Sequence, residues 1–298
     1  MALRVRFTPL LIGEEARGSG TVRQLVNYGT PVRSKRRQRT QIRAAGTQTY
    51  DQIQYPPGFG LKDVVAWGST GLVVLDSASQ TVIKTPFSPE NEILIRREQE
   101  IYERLAKRGK HPGTLSYFGE VNGGGIRLEF APKLDLHSFL RHQSVNLDLA
   151  LGWMIQLADA LAFIHDAGII HGDLTSANVF IDDGMNVRIA DFAGSSIDLS
   201  PLLVQVTTSH QYPGNLLSPQ GDIFASGSIL YEVTAGKRPY AGLSDTTIQS
   251  RFQKGDFPEV SSIGSLGHVI KTCWNGGYED SKALVNNLQA IRENTLGS

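Results

Sequence analysis

Two strings carry residue types able to do polar chemistry at a fixed spacing. Ile170-His171-Gly172-Asp173-Leu174-Thr175-Ser176-Ala177-Asn178-Val179-Phe180 places a carboxylate five residues before an amide and frames both with apolar positions. Val187-Arg188-Ile189-Ala190-Asp191-Phe192-Ala193-Gly194 delivers a second carboxylate at the end of an apolar alternation. A His-x-Asp or an Asp-Phe pair alone is a common accident, whereas the order, spacing and framing of the two strings together are not. Upstream, Ala66-Trp67-Gly68-Ser69-Thr70-Gly71-Leu72-Val73 reads as a turn between strands. Its backbone N–H groups at Gly68 and Gly71 can approach phosphate oxygens without a Cβ in the way. Val82-Ile83-Lys84 ends the next strand on a cation. A lysine there is usually only solvated, and it gains meaning from its register with the turn before it and a helix after it.

Those groups need a scaffold, and the pattern supplies one. Short β-rich pieces at 63–66, 71–75 and 81–84 surround a hairpin turn at 76–80. A charged helix is expected over 92–107, with Ile93, Ile101 and Leu105 on its buried face, stopped by Gly109 and Pro112. Strands at 113–119 and 125–130 complete a small sheet. Beyond Pro132 the period turns helical: Leu147, Leu151, Met154, Ala158 and Leu161 recur at spacings of three and four, which predicts a long amphipathic helix over 147–165. Further helices are expected near 268–274 and 281–291.

Composition narrows the class. Of 298 residues 40% are hydrophobic, enough for a real core, and acidic and basic side chains balance at 29 each. The balance averages unlike parts. Residues 1 to 60 carry ten basic and three acidic side chains, a net of +7 against −7 for the remainder. The run Arg33-Ser34-Lys35-Arg36-Arg37-Gln38-Arg39 suits a solvated, disordered tail, with a nuclear-localisation or nucleic-acid patch as the alternative. Glu14 and Glu15 count against an organelle transit peptide, and Arg4, Arg6 and Pro9 interrupt any signal-peptide core. A single cysteine, Cys273, excludes an intrachain disulfide and a cysteine-based zinc site, and fits an intracellular, cytoplasmic or nuclear location. No uninterrupted apolar run of membrane-spanning length is evident, so no membrane association is expected.

The strings resemble the protein-kinase family. The first resembles its catalytic loop, H-R-D-L-x-x-x-N, and the second its metal-binding D-F-G. Phosphoryl transfer needs a carboxylate at the attacking hydroxyl and oxygen ligands for Mg²⁺ ions bridging the phosphates. The resemblance implies Asp173 in the first role and Asn178 and Asp191 in the second. Lys84 stands where the family contacts the α- and β-phosphates of ATP. Glu98, in Arg97-Glu98-Gln99-Glu100-Ile101-Tyr102, would be its carboxylate partner, with Glu100 the alternative. The turn fits G-x-G-x-x-G-x-V with Ala66 in place of the first glycine, which puts Gly68 and Gly71 at the phosphates and Val73 over the adenine. Leu128-Glu129-Phe130-Ala131 resembles the hinge, where backbone groups of Glu129 and Ala131 would bind adenine and Leu128 would be the gatekeeper. Gly221-Asp222-Ile223-Phe224-Ala225-Ser226-Gly227 looks like the D-x-W-S-x-G helix start, with Asp222 tying down the catalytic-loop backbone. The implied fold is α+β and bilobal, a protein-kinase-like fold with a small β-rich N-lobe and a larger α-helical C-lobe. Residues 1–59 would be the basic tail, 60–131 the N-lobe and hinge, and 132–298 the C-lobe.

Several positions depart from the family. Gly172 replaces the arginine of H-R-D, Thr175 a lysine, and Ala193 the glycine of D-F-G. His-Gly-Asp-Leu-Thr is similar to the small kinase of the tRNA-modifying KEOPS complex. The A-P-E element is reduced to Tyr212-Pro213-Gly214-Asn215, and the region after Cys273-Trp274 lacks its arginine partner. Ser195, Ser196, Ser200, Thr207, Thr208 and Ser209 offer hydroxyls between Asp191 and Pro213, a stretch with no lysine or arginine of its own. A phosphate there is expected to find no local cation, so activity should not require one. The implied activity is ATP- and Mg²⁺-dependent phosphoryl transfer to serine or threonine of protein substrates, since Asp173 to Asn178 matches neither tyrosine-kinase form. A pseudokinase scaffold, and an atypical kinase or ATPase working with nucleic-acid machinery, are the rivals. Oligomeric state is not readable.

Overall fold

The computed structural model describes residues 54–68 and 70–296. Most of the expected basic tail, including its run at 33–39, lies outside the described residues. Strands β1 (Val64–Trp67), β2 (Leu72–Asp76) and β3 (Thr81–Thr85) form an antiparallel meander, followed by helix α1 (Glu92–Arg108) and strands β4 (Tyr117–Val121) and β5 (Gly125–Glu129). The sheet order is β1-β2-β3-β5-β4. Its β2–β3 turn is tightened by Asp76, whose Oδ1 accepts the N–H of Ala78 at 3.2 Å while Arg127 of β5 reaches its Oδ2 at 2.7 Å. Val73 stands opposite Lys84, which stands opposite Ile126. Directly opposed residues share a face of the sheet, so this register sets where Lys84 points.

In α1 the buried residues are Ile95, Glu98, Ile101, Tyr102 and Leu105, whereas Ile93 is 59% exposed. Ile93 lies roughly 200° around the helix from Ile95, so the two cannot share a face. The expected inward face was right at Ile101 and Leu105 and wrong at Ile93.

The C-lobe begins with α2 (Leu136–Leu140) and α3 (Leu147–Asp166), capped by Asp135 and Asn146, whose side chains accept the N–H of Ser138 and Leu149 at 2.8 Å each. Short strands β6 (Ile169–Ile170), β7 (Val179–Ile181), β8 (Val187–Ile189) and β9 (Ser196–Ile197) follow, pairing β6 with β9 and β7 with β8. Helices α4 (Pro219–Ala235), α5 (Asp245–Gln253), α6 (Ser265–Trp274) and α7 (Ser281–Leu296) complete it. Twelve consecutive residues of α4, Asp222 to Val233, are buried, the signature of a helix enclosed on every side. α3 packs against α4, α7 and β8. By length and composition α3 could cross a membrane, alone among the described helices, but ten of its residues are buried in this core.

The strand expected at 113–119 is divided between the lobes. Gly113 accepts the N–H of Ile189 at 2.8 Å, and bonding to β5 begins only at Ser116, which accepts the N–H of Glu129 at 2.9 Å. Ala160 of α3 lies so close that a Cβ on Gly113 would sit 2.5 Å from its Cβ. The N-lobe was expected to open at residue 60, and packing is found upstream of it. Tyr55 and Phe59 rest on a cluster of Val64, Leu72, Val74 and Ile83, and Pro56 is buried. A chain starting at Gln54 should therefore unfold at the full-length temperature. One starting at Leu61 should lose about 2 kcal/mol of apolar burial and melt roughly 5 °C lower, measurable by differential scanning calorimetry.

Candidate active site

Lys84 is buried at the centre of the sheet, and a buried ammonium requires anions. It has two: Nζ lies 2.6 Å from Glu98 Oε2 of α1 and 2.6 Å from Asp191 Oδ1, just after β8. Burial alone would drive the ammonium toward neutrality, but the charges of Asp191 and Glu98 override it and raise the pKa above its ordinary 10.5. Burial also pushes the Glu98 carboxyl up, against the pull of Lys84. The second Glu98 oxygen accepts the N–H of Phe192 at 3.3 Å, and the Phe192 ring meets Tyr102 of α1 edge-on at 5.3 Å. Asp191 itself has φ +62°, a left-handed backbone that costs a non-glycine residue on the order of 1–3 kcal/mol. Glu100, the alternative partner, pairs instead with Arg97 at 3.7 Å on the helix surface.

The catalytic-loop string is hung from α4. Asp222 accepts the backbone N–H of His171 at 2.8 Å and of Gly172 at 2.9 Å, and His165 Nε2 lies 2.9 Å from it. Burial would raise the Asp222 carboxyl, and these partners hold it below the usual range. His171 Nε2 sits 3.0 Å from the Ala190 carbonyl, joining the two strings. Asn178 donates Nδ2 to the Asp173 carbonyl at 2.8 Å, which leaves its amide oxygen for other work. Asp173 Oδ1 accepts the N–H of Thr207 at 2.7 Å, and burial raises its carboxyl pKa despite that bond. Gly172 has φ +79°, and a Cβ there would lie 2.3 Å from Leu202 Cδ2. The left-handed backbone thus favours glycine where the family has arginine, and a side chain there would also have to displace the tip of Leu202.

A cavity between the lobes is lined by Val73, Lys84, Leu128, Ala131, Asn178 and Asp191 among others, so it gathers most of the expected site residues. Glu129 also lines it, but its N–H donates to Ser116 at 2.9 Å and is not available to a bound base. Gly68 and Gly71 do not line it. Gly68 donates its N–H to Gly71 at 2.9 Å, and a Cβ on Gly71 would meet the Thr85 carbonyl at 2.3 Å. Oxygen donors from Asn178 and Asp191 on one wall suit Mg²⁺. Among the described residues no cluster of three or more His, Cys, Asp or Glu is placed to hold a metal.

Thr207 was noticed only as a hydroxyl, and its backbone role could not be found from spacing. The stretch after Asp191 also overturns an expectation. Cations do reach it, from α1: Arg97 donates to the Ser195 carbonyl at 2.7 Å and to Ser200 Oγ at 3.0 Å, and Arg104 pairs with Asp198 at 2.7 Å. A group on Ser200 would not lack a local cation. Ser195, Ser196, Thr208 and Ser209 are buried, so four of the six hydroxyls are inaccessible. Where the A-P-E pair is missing, Gln220 donates to the Tyr278 and Glu279 carbonyls, a neutral tie between the same regions.

The chain belongs to the protein kinase domain family, whose pattern matches residues 76–289. It is 27% identical over 204 residues to the serine/threonine-protein kinase PDK1 of Cryptococcus neoformans, covering 62% of this chain and 15% of that protein. It is 26% identical over 246 residues to mitogen-activated protein kinase kinase kinase 7 of Drosophila melanogaster, covering 75% and 35%. The serine/threonine-protein kinase PknA of Mycobacterium tuberculosis is 30% identical over 197 residues, covering 60% and 45%. The chain thus spans less than half the length of each of these relatives.

A second buried carboxylate steadies the loop. Glu232 of α4 accepts the Ser176 hydroxyl at 2.7 Å, meets His137 Nδ1 at 2.8 Å, and has Arg238 Nε at 3.5 Å. Burial opposes its charge, but these partners lower its pKa from 4.5 to about 2. A depressed carboxylate stabilises the fold fully above its unfolded value and loses that contribution as pH falls toward the folded one. The stability advantage of the wild type over Glu232→Gln should therefore be constant at neutral pH, on the order of 3 kcal/mol, and should shrink between pH 4.5 and about 2. Denaturant titration across that range checks it.

Proposed function

We propose that the chain is an active protein kinase that transfers the γ-phosphoryl group of ATP to serine or threonine hydroxyls of a protein substrate. The observation that carries the reading is the Lys84–Glu98–Asp191 constellation at 2.6 Å contacts, standing beside a catalytic loop whose Asp173 and Asn178 are held by their own backbone bonds. A scaffold that binds partners without turnover would not require all of these groups in place together. The relatives named above are serine/threonine kinases, which supports the choice of acceptor.

In this reading adenine lies against Val73, Leu128 and Ala131, with the Glu129 carbonyl at its edge. Lys84, steadied by Glu98, turns its remaining donor capacity to the phosphates. Bound Mg²⁺, held by Asn178 and Asp191, would supply charge neutralisation for those phosphates. Asp173 accepts the Thr207 N–H on Oδ1, and its Oδ2 is the oxygen this reading turns to the acceptor. That second oxygen orients the hydroxyl and takes its proton while the acceptor oxygen bonds to the γ-phosphorus and the bridge to ADP breaks. The raised Asp173 pKa makes it a better proton acceptor than an ordinary carboxylate.

Three variants separate the roles. Asp173→Asn should keep ATP affinity and lose kcat by a factor of about 10² or more, the pattern of an interaction made in the transition state. Asp191→Asn should lose both turnover and magnesium-dependent nucleotide binding. Lys84→Met should abolish turnover. Radiolabelled phosphate transfer to a generic protein acceptor, alongside nucleotide titration, reads all three, and full activity in Asp173→Asn would refute the assignment.

A further inference from the structure

A second cavity, of about 420 Å³, opens in the C-lobe between α2, the residues around Thr207, and the connection from α4 to α5. Thr207 is part of its wall and donates its N–H to Asp173 Oδ1 at 2.7 Å, so the cavity adjoins the carboxylate assigned to the acceptor hydroxyl.

The charges around this cavity are unequal. Glu232 forms part of the wall and would attract a basic side chain if it were free. It is not: Ser176 occupies Oε2, His137 occupies Oε1, and Arg238 lies 3.5 Å away. Its depth compounds this, because its side chain is only 5% exposed. Asp245, the other acid of the wall, is exposed in the first turn of α5, where the positive end of the helix dipole offsets part of its charge. Arg141 and Lys237 are different. Both are exposed, and among the described residues no carboxylate lies within ion-pair distance of either. The site therefore presents two exposed cations, Arg141 and Lys237, against one acid that is fully engaged, Glu232, and one that is partly offset, Asp245.

We propose that this cavity selects the protein substrate by receiving an acidic side chain located within a few residues of the acceptor hydroxyl, with Arg141 and Lys237 as its specificity-determining contacts. The proposal rests on the reading of Asp173 as the group that meets the acceptor. Charge complementarity is the argument for this occupant. A basic flanking residue would meet Arg141 and Lys237 with like charge and find Glu232 closed to it, a repulsive selection against the wrong partner.

The test uses the full chain and three labelled peptides that differ only in flanking residues around one serine: Asp/Glu, Lys or Ala. Fluorescence anisotropy compares the wild type with Arg141→Glu/Lys237→Glu. The basic amino-terminal segment is common to both proteins, so the difference between them reports on the cavity. The acidic peptide should bind the wild type at least tenfold more tightly than the variant, and the order for the Lys peptide should reverse. Arg141→Ala/Lys237→Ala, which removes charge without inverting it, should give an intermediate loss at an unchanged melting temperature, and it carries the test if the reversed variant fails to fold. Equal binding of the acidic peptide to wild type and variant, or a wild-type preference for the Lys peptide, overturns the proposal. Phosphate incorporation with Mg-ATP separates this from the kinase reading. Variant-sensitive binding without turnover leaves the cavity assignment standing and removes the phosphotransfer. Turnover indifferent to flanking charge does the opposite.

Discussion

An ammonium withdrawn from water cannot stand unpaired, and Lys84 makes that rule the organising constraint of the molecule. Its two carboxylates come from different regions: Glu98 from the helix beside the sheet and Asp191 from the segment that follows β8. Satisfying one cation therefore fixes α1 against the sheet and brings the C-lobe's second string beneath it. Breaking such a buried group by removing one partner is strongly destabilising, because the remaining charge is left without compensation. The left-handed backbone of Asp191 is tolerable in the same terms, since the ion pair and the buried Phe192 that follows hold it in place.

The opposite wall is organised by a helix that solvent does not reach. Asp222 and Glu232 lie near the two ends of the buried stretch of α4, about 15 Å apart along the axis, and each takes hold of the catalytic loop. Asp222 captures the amides of His171 and Gly172, while Glu232 captures the hydroxyl of Ser176. Asp173 lies between the two anchored points. Its position is thus set by the most enclosed element of the C-lobe, while Thr207, from the following segment, closes over one of its oxygens.

What could be read from the residues and what could not divides along chain separation. That Lys84, Glu98, Asn178 and Asp191 would meet around one cavity was legible because each occupies a short motif whose internal spacing is fixed by local backbone geometry. Leu128 and Ala131 were legible for the same reason, as the end of a strand. The glycine turn was half legible: its glycines were seen as sites for phosphate, whereas Gly71 answers to the Thr85 carbonyl and Gly68 to Gly71. Contacts made across a hundred residues left no trace in any local pattern. Nothing in the spacing around Arg97 marked it, and its bonds to Ser195 and Ser200 exist only once the lobes are assembled. The division of 113–119 was hidden likewise, because β-propensity does not say which sheet a strand will join, and Ile189 claimed the first half.

Gly172 carries a consequence for how this sequence can change. Its backbone is left-handed and the space where a side chain would begin is filled by Leu202. An arginine at this position would have to hold a left-handed backbone that residues with a Cβ rarely adopt, and the tip of the half-buried Leu202 side chain would have to swing aside to admit it. Backbone strain, more than the space beside the loop, is what ties this position to glycine. Arg97 and Arg104, reaching the segment from α1, supply from a separate part of the chain the positive charge that the loop itself cannot hold.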